Sequence, residues 1–436
     1  MKIQFTRFLK ILIVFFIYLL PGSGRAQITV KPDRADEVYK SGETVKWTLQ
    51  KSDTSVLESA RYMLKKGGLD VIGTGKLKFG PDPEEIGYTF DSPGSVLLEV
   101  RWGNENSWKD RAVGGAVADP GRIKLSAPAP GDFKDFWDAN LEELSEIPAN
   151  PVLENEESGI EGVEYWKITM DNIRGTHIRG QISRPSKGKN LPALLIVQWA
   201  GIYPLQKSWV TDRARDGWLV LNILAHDLPI DREPEFYREM AAGPLKDYWA
   251  IGNDNRDESY FLRMYLSCYR AAAYLAGRPD WNGKTLVVMG DSQGGQQALM
   301  TAGLYPGITG CMALVPAGFD MLGPEVGRKG GWPQWYDKTS GKDPDKVHET
   351  SRYFDVANFI PWIKCPVLVG IGLLDETCPP EGILAGLNQL ETPKEIILLP
   401  GSGHQDRNGS QEAYKKRREN TWLPEFKSGK KVPATD

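Results

Sequence analysis

The sequence is poor in the residues that build metal and disulfide sites. Its 436 residues include only four cysteines and four histidines, and these show neither a C-x-x-C nor an H-x-x-x-H spacing. Without such spacings the sequence offers no Cys/His metal motif, and we expect neither a metal nor another cofactor. The cysteines fall in helix-like and strand-like segments rather than in a disulfide framework, so we expect free, buried thiols. They are Cys268, Cys311, Cys365 and Cys378.

A strong net charge is also missing. The formal net charge is −4, with 41% hydrophobic and 25% charged residues, which is typical of a soluble globular protein. This balance gives no reason to expect a nucleic acid or an anionic membrane surface as a partner. A chain of 436 residues is longer than one typical domain. The oligomeric state stays open.

The sequence has one long apolar run, at residues 11–20, and lacks a second. Lys2, Arg7 and Lys10 precede or flank the run, and small residues stand at Gly24 and Ala26. Ten apolar residues are too few to cross a bilayer, so the pattern predicts a secretory signal peptide over residues 1–26. The alternative is a retained N-terminal anchor. Cleavage near Ala26 would release the protein to a periplasm, a cell surface or the medium, with no membrane contact afterwards.

Residues 28–118 show no helical period. Short β-rich segments, separated by Gly, Pro, Asp and Asn, predict a small all-β sandwich of immunoglobulin type. The predicted strands begin at residues 28, 44, 60, 76, 87 and 96. Such a domain could bind carbohydrate, but no aromatic cluster stands out, which favours a packing or spacer role. Residues 119–131 are rich in Pro, Gly and Ala and predict a linker.

The rest of the chain alternates between strand and helix patterns. A helix with an Asp132 cap is predicted to begin the domain over residues 132–425, with Phe133, Phe136 and Trp137 on one face. A hairpin is predicted to follow, and then strands and helices in alternation, including a long helix from Ser259 to Ala276 that ends at Gly277 and another over residues 382–390. This order predicts an α/β-hydrolase fold with a mostly parallel sheet, a cap insertion at residues 318–350 and a polar tail at 426–436.

The motif around Ser292 carries the chemistry. Residues 290–294 read G-D-S-Q-G and lie between a strand-like run, residues 285–289, and a helical pattern. A sharp strand-to-helix turn needs glycine beside the serine, exposes the Ser292 hydroxyl and aims the backbone N–H of Gln293 at a carbonyl oxygen. The alternative is a glycine-rich turn with an ordinary serine.

A serine nucleophile needs a base and an acid, which follow it in the order acid, then histidine, in this fold. His404 stands in a glycine-rich loop after a strand-like run, whereas His348 lies in a charged segment with no strand before it. Asp375 is the first carboxylate after another predicted strand, ahead of Glu376. The sequence therefore predicts the triad Ser292, Asp375 and His404. Considered without the other two residues, His404 could be a histidine of a surface loop, and Asp375 could be the N-cap of a helix.

The catalytic part resembles the acetyl xylan esterase and cephalosporin C deacetylase family of α/β-hydrolases. The resemblance rests on residues 130–137 (PGDFKDFW), 290–295 (GDSQGG), 353–358 (YFDVAN) and 363–380 (IKCPVLVGIGLLDETCPP). It covers residues 130–425 and leaves the β-rich part outside. It implies deacetylation of short esters on carbohydrates and gives the same roles to Ser292, Asp375 and His404.

The sequence departs from the family at two substrate-side positions. Where the family has His-Gly-Tyr, this chain has Trp199, Ala200 and Gly201, so the second oxyanion N–H is expected from Ala200 or Gly201. Where the family has Arg-Gly-Gln, this chain has His226 and Asp227, which line the pocket or stabilise a turn. In addition, Gln405 replaces a glutamate after the base. Trp199 and Tyr203 are further candidates for sugar contacts, although core packing is the commoner role of tryptophan.

The sequence thus predicts an exported serine carboxylesterase acting on an acetylated oligo- or polysaccharide or another small ester. Three alternatives stay open at this point. One is a peptidase of the prolyl oligopeptidase type, another a glucuronoyl or feruloyl esterase. The third is a carbohydrate-binding protein with a vestigial hydrolase domain, which the complete triad disfavours.

Overall fold

The structure is a computed structural model that describes residues 28–52, 59–80, 82–103 and 110–430. The predicted signal peptide and most of the predicted polar tail lie outside the described residues. Within them, no helix combines the length and the apolar character needed to cross a bilayer.

The N-terminal region consists of strands that form two sheets around one core. Its strands are β1 (Ile28–Pro32), β2 (Val38–Tyr39), β3 (Thr44–Lys51), β4 (Ser59–Lys66), β5 (Asp70–Lys78), β6 (Glu84–Thr89), β7 (Gly94–Arg101) and β8 (Arg111–Ala118). One sheet has the order β1-β3-β6, and the other β2-β8-β7-β4-β5. Trp47 and Leu49 of the first sheet and Leu98 of the second are fully buried in a shared cluster. The β-rich prediction is confirmed, while the immunoglobulin type stays a prediction.

Strand β8 was absent from the predicted strand set. Its centre is Gly114-Gly115, which has no side chains to show an alternating pattern. A Cβ on Gly115 would lie 2.6 Å from the carbonyl oxygen of Leu373, so the glycine permits a close approach to the second part of the chain.

The segment predicted as a linker lies against that second part. Asn388 donates hydrogen bonds of 2.9 Å to the carbonyl oxygens of both Pro120 and Ile123. The Ile123 side chain is buried.

The second part is built on a nine-stranded sheet. Its strands are β9 (Val152–Glu156), β10 (Val163–Asp171), β11 (His177–Pro185), β12 (Leu191–Val197), β13 (Leu219–Ile223), β14 (Trp281–Asp291), β15 (Gly310–Leu314), β16 (Val367–Gly372) and β17 (Lys394–Leu399). Their order is β9-β10-β11-β13-β12-β14-β15-β16-β17. Strands β12 to β17 pair in parallel, while β9, β10 and β11 are antiparallel to their neighbours. Parallel strands end at one edge, so the loops after β14, β16 and β17 come together.

Helices cover both faces of this sheet. They are α1 (Phe133–Ser145), α2 (Ser208–Arg215), α3 (Pro234–Ala242), α4 (Tyr260–Ala276), α5 (Gln293–Leu304), α6 (Pro344–Phe354), α7 (Pro380–Leu387), α8 (Glu412–Arg417) and α9 (Leu423–Ser428). The prediction for α4 is confirmed: the Ser259 hydroxyl accepts a hydrogen bond from the N–H of Phe261, and Gly277 follows the last helical residue.

Three details of the helix prediction were wrong. Asp132 stands before α1 but does not cap it, because its carboxylate binds the Tyr353 hydroxyl and Arg256 instead. Helix α7 begins and ends earlier than the predicted span of residues 382–390. Helices α2, α3 and α6 were not predicted, since helices this short contain too few apolar residues to define a period and depend on tertiary packing.

Candidate active site

Ser292 stands at a strained turn between β14 and α5. Its backbone angles are φ 57° and ψ −120°, outside the ordinary regions for a residue with a side chain. A Cβ on Gly290 would lie 2.4 Å from the Gly294 carbonyl carbon, and one on Gly294 would lie 2.6 Å from the Val197 oxygen. Both glycines are therefore required by close backbone approaches. The turn is held by the N–H of Ser292, which donates to the Leu314 carbonyl at 2.8 Å.

Ser292, His404 and Asp375 form a continuous hydrogen-bonded series. The Ser292 Oγ lies 2.8 Å from His404 Nε2, and His404 Nδ1 lies 2.8 Å from Asp375 Oδ2. The other Asp375 oxygen accepts from the N–H groups of Thr377 and Cys378, each at 2.8 Å. A carboxylate held in this way accepts a hydrogen bond from Nδ1–H, which leaves Nε2 unprotonated and free to accept the serine proton.

The other predicted candidates for acid and base have different partners. Glu376, the less favoured acid, forms an ion pair with Arg111 of β8. His348 lies on α6, where its ring stacks on Tyr336 with a centroid distance of 4.2 Å and an interplanar angle of 3°. Neither residue takes the place of Asp375 or His404.

Cys378 lies beside the triad. One ligand atom from each of Asp375, Cys378 and His404 falls within 4.8 Å of the others, so these three residues could hold a metal by distance alone. However, burial and the nearby Asp375 charge raise the pKa of the Cys378 thiol well above its usual value, which opposes the thiolate that a metal needs. Asp375 and His404 are also already bonded to each other. The four cysteines are all buried and unpaired.

A chain of hydrogen bonds joins the two turns expected to bind an oxyanion. The Tyr248 hydroxyl donates to Gln293 Oε1 at 2.5 Å and accepts from the N–H of Gly201 at 3.3 Å. His226 Nε2 lies 3.0 Å from the Gly201 carbonyl, and its Nδ1 lies 2.7 Å from the Tyr260 hydroxyl. Burial lowers the pKa of His226 to about 4, so the imidazole is neutral at pH 7. Nε2 therefore carries the proton and donates to Gly201, while Nδ1 accepts from Tyr260.

This series of hydrogen bonds limits which N–H groups are left to bind an oxyanion. Gln293 is the first residue of α5, so its N–H has no acceptor within the helix. The N–H of Gly201 already donates to Tyr248. A second donor in the turn after β12 would then come from Ala200 or from Ile202, a residue that the sequence did not single out.

Trp199 is a surface residue, which does not fit the core-packing alternative considered for it. Its side chain is 43% exposed and stacks on Tyr203, with ring centroids 5.1 Å apart and planes at 21°. The Tyr203 hydroxyl donates to the Trp199 carbonyl at 2.8 Å, which fixes the pair. Trp199 lines a cavity of about 360 Å³ together with Trp209, Gly290 and Asp291, directly before the nucleophile.

His226 and Asp227 have structural partners. His226 is buried in the hydrogen-bond chain described above. Asp227 pairs with Arg179 at 2.9 Å and accepts from the N–H of His177 at 2.8 Å. These contacts tie the end of β13 to β11 and favour the structural alternative for both residues.

Comparison with known proteins places this geometry in a family. The acetyl xylan esterase (AXE1) family model matches residues 122–424. The acetyl esterase Axe7A of Xylanibacter ruminicola is 31% identical over 381 residues, covering 86% of this chain and 85% of that protein. The chain belongs to the acetyl xylan esterase (AXE1) family. It is therefore a carboxylic ester hydrolase, as the sequence predicted.

Solved acetyl xylan esterases share its fold. The enzyme from a Thermoanaerobacterium species has a TM-score of 0.59 at 21% identity and covers 68% of this chain and 96% of its own. The enzyme from a Paenibacillus species has a TM-score of 0.57 at 23% identity, and the match covers 69% of this chain and 98% of that enzyme. The α/β-hydrolase prediction is confirmed. The family match begins at residue 122 and so leaves β1 to β8 outside.

Proposed function

We propose that this protein is an exported serine esterase that removes acetyl groups from carbohydrate. The observation that carries the proposal is the hydrogen-bonded series Ser292, His404 and Asp375 at a strained turn. The resemblance to an acetyl esterase over most of both chains supports the acyl group. Export rests on residues 1–26 of the sequence alone.

The mechanism follows from the geometry. His404 Nε2 takes the Ser292 proton as Oγ attacks the acetyl carbonyl carbon, and Asp375 stabilises the resulting imidazolium. The N–H of Gln293 and one N–H of the turn after β12 bind the oxyanion. Loss of one such donor typically costs about 3 kcal/mol of barrier. The tetrahedral intermediate then collapses, and His404 returns the proton to the departing sugar oxygen. Water, deprotonated by His404, attacks the acetyl-enzyme and releases acetate and free Ser292.

The lining of the cavity beside Trp199 supports a neutral sugar as the substrate. Its lining includes the carboxylates of Asp212, Asp216 and Asp291, which can accept hydrogen bonds from sugar hydroxyls. The two arginines of the cavity are already paired: Arg213 with Glu419 at 2.6 Å, and Arg418 with Glu419 at 2.9 Å. A uronic acid would therefore meet carboxylates rather than a free guanidinium. This favours acetylated neutral sugars over the glucuronoyl esters of the alternative.

The test compares p-nitrophenyl acetate, p-nitrophenyl butyrate and a dipeptide anilide as substrates of the wild type and of Ser292→Ala. We expect acetate to be cleaved fastest, with a loss of roughly 10⁶-fold in kcat on mutation, because the nucleophile is absent. Ser428→Ala, at an exposed serine of α9, is the matched control and should retain full activity. If the folded wild type cleaves no ester, the esterase proposal is wrong. Preferred cleavage of the anilide would favour the peptidase.

A further inference from the structure

The β-rich region, residues 28–118, lies outside the family match and has no assigned role. It contacts both loops that carry the proposed acid and base. We define the acid loop as residues 373–380, between β16 and α7, and the base loop as residues 400–404, after β17. Four contacts from the β-rich region reach these loops or the element that follows them.

The first contact is an ion pair to the residue next to the acid. Arg111 of β8 binds the carboxylate of Glu376 and lies 3.4 Å from that of Glu99. Glu99 is buried and also pairs with Lys65 at 2.6 Å. Arg111 is therefore held in place by residues of its own sheet. A partly buried and networked ion pair fixes geometry more tightly than an isolated surface pair.

The second contact is a backbone approach at the start of the acid loop. A Cβ on Gly115 would lie 2.6 Å from the carbonyl oxygen of Leu373 and 2.7 Å from Cδ2 of Leu374. Strand β8 therefore packs directly against the two residues that precede Asp375.

The third contact holds the end of the acid loop. Glu381, in the first turn of α7, accepts hydrogen bonds from the backbone N–H and the hydroxyl of Ser95, at 2.7 and 2.8 Å. The Glu381 side chain is buried and its other oxygen faces Arg328 at 3.4 Å. The acid loop is thus bound to the β-rich region on both sides of Asp375.

The fourth contact reaches the base loop. Glu37 is buried, and its carboxyl group lies near the backbone N–H of Gly401, three residues before His404, while its Oε2 has no hydrogen-bond partner among the described residues. Its φ of 58° is uncommon for a glutamate, so its placement is imposed by the surrounding structure.

We propose that the β-rich region is a positioning module of the active site, in which Arg111, Gly115, Ser95 and Glu37 hold the acid and base loops so that Asp375 meets His404. This inference rests on the proposed triad. The two loops leave neighbouring strands and are joined to each other by one backbone hydrogen bond, from the N–H of Leu374 to the carbonyl of Ser402 at 2.8 Å. The contacts from the β-rich region hold this pair of loops from outside. The β-rich region also contacts residues 327–329, where the N–H of Lys329 donates to the Gly67 carbonyl at 2.9 Å. A spacer or an independent glycan-binding domain would, however, have no need for contacts on both sides of the proposed acid.

The experiment uses the full chain with Arg111→Met, Arg111→Lys and Arg34→Met. Arg34 is the matched control, because it forms its ion pair with Glu43 inside the β-rich region. For Arg111→Met we expect kcat on p-nitrophenyl acetate to fall roughly 10- to 100-fold with KM little changed, because a small misplacement of the acid weakens the transition state. The acid limb of the kcat/KM profile should move to lower pH, since Asp375 would stabilise the His404 imidazolium less.

Arg111→Lys should recover part of kcat, and Arg34→Met should match the wild type. A folded Arg111→Met protein with a lower melting temperature but unchanged kcat and pH profile would show a purely structural role and overturn the inference. If Arg111→Met does not fold, the test uses Ser95→Ala, which keeps the backbone hydrogen bond to Glu381. We expect this variant to lower kcat several-fold. An unchanged kcat in Ser95→Ala would also overturn the inference. Inactivity of the wild type would instead refute the proposed function.

Discussion

Trp199 is an exposed aromatic residue that lines the cavity next to Asp291, the residue before the nucleophile in the sequence. Its ring is held by stacking on Tyr203 and by an edge contact to Trp209, with centroids 5.2 Å apart. A ring fixed in this way loses little entropy on binding and offers a flat apolar face to a sugar ring. Sequence patterns could not show this, because loop residues follow no period that separates buried from exposed positions.

For Trp199→Ala we expect KM for an acetylated xylo-oligosaccharide to rise roughly fivefold, since loss of one aromatic contact is worth about 1 kcal/mol. The values for p-nitrophenyl acetate should stay unchanged, because that ester has no sugar to stack on the ring. Steady-state kinetics on both substrates check this, and Trp199→Tyr, which keeps an aromatic face, should lie close to the wild type. An equal change on both substrates would contradict a sugar-specific contact.

At the scale of elements, the loop between α3 and α4 connects the turn after β12 to the start of α5. Tyr248 supplies this link through hydrogen bonds to Gly201 and Gln293. The bonds from Tyr260 through His226 and Gly201 to Tyr248 and Gln293 all run in one direction, which strengthens each of them. The two halves of the proposed oxyanion site are therefore mechanically coupled.

Tyr248→Phe removes that link and should lower kcat about tenfold with little change in KM, because the oxyanion donors lose their relative position. It also leaves buried polar groups on Gln293 and Gly201 without a partner, at a cost of about 1–3 kcal/mol of stability. Tyr237→Phe is the matched control, since the buried Tyr237 hydroxyl bonds the backbone of Pro229 and Arg232. The measurement is kcat and KM beside the urea unfolding of both variants. A similar stability loss in both with full activity in Tyr248→Phe would exclude the positioning role.

Elements with clear local signals were predictable, and elements without them were not. Helix α4 has a serine cap, an apolar face and a glycine after its end, so local signals agree with the fold. Strands of the parallel sheet are also recognisable, because both faces of the sheet are buried and the strands are therefore continuous apolar runs. Helix α6 is different: Asp343 caps it, but its buried face is decided by the partners that pack on it, which are distant in sequence.

At the scale of the whole molecule, two buried groups make stability depend on pH in opposite directions. Burial lowers the pKa of His226 from 6.5 to about 4 and raises that of Glu37 from 4.5 to about 7. Unfolded His226 gains a proton below pH 6.5 while the folded form does not, so its contribution to stability is lost as pH falls towards 4. Folded Glu37 keeps its proton up to pH 7, so its contribution is lost as pH rises from 4.5 to 7.

We expect His226→Gln to flatten the pH dependence of the free energy of unfolding between pH 6.5 and 4 by about 3 kcal/mol relative to the wild type. Glu37→Gln should flatten the opposite slope between pH 4.5 and 7. Urea unfolding at several pH values measures both, and each variant serves as the other's control. Curves parallel to the wild type in both windows would show that neither group titrates as described.

The alternation of strands and helices in the second part of the chain, the turn at Ser292 and the candidates Asp375 and His404 could be predicted from the sequence. Each depends on local information: runs of apolar residues, glycines beside the serine, and the fixed order of strand ends in an α/β-hydrolase. Only the tertiary structure decided that Trp199 is exposed, that Tyr248 bridges Gly201 and Gln293, and that Arg111 reaches Glu376. The physical reason is that these contacts join residues far apart in the chain, whose approach depends on how the sheets and loops pack, and no local pattern records it.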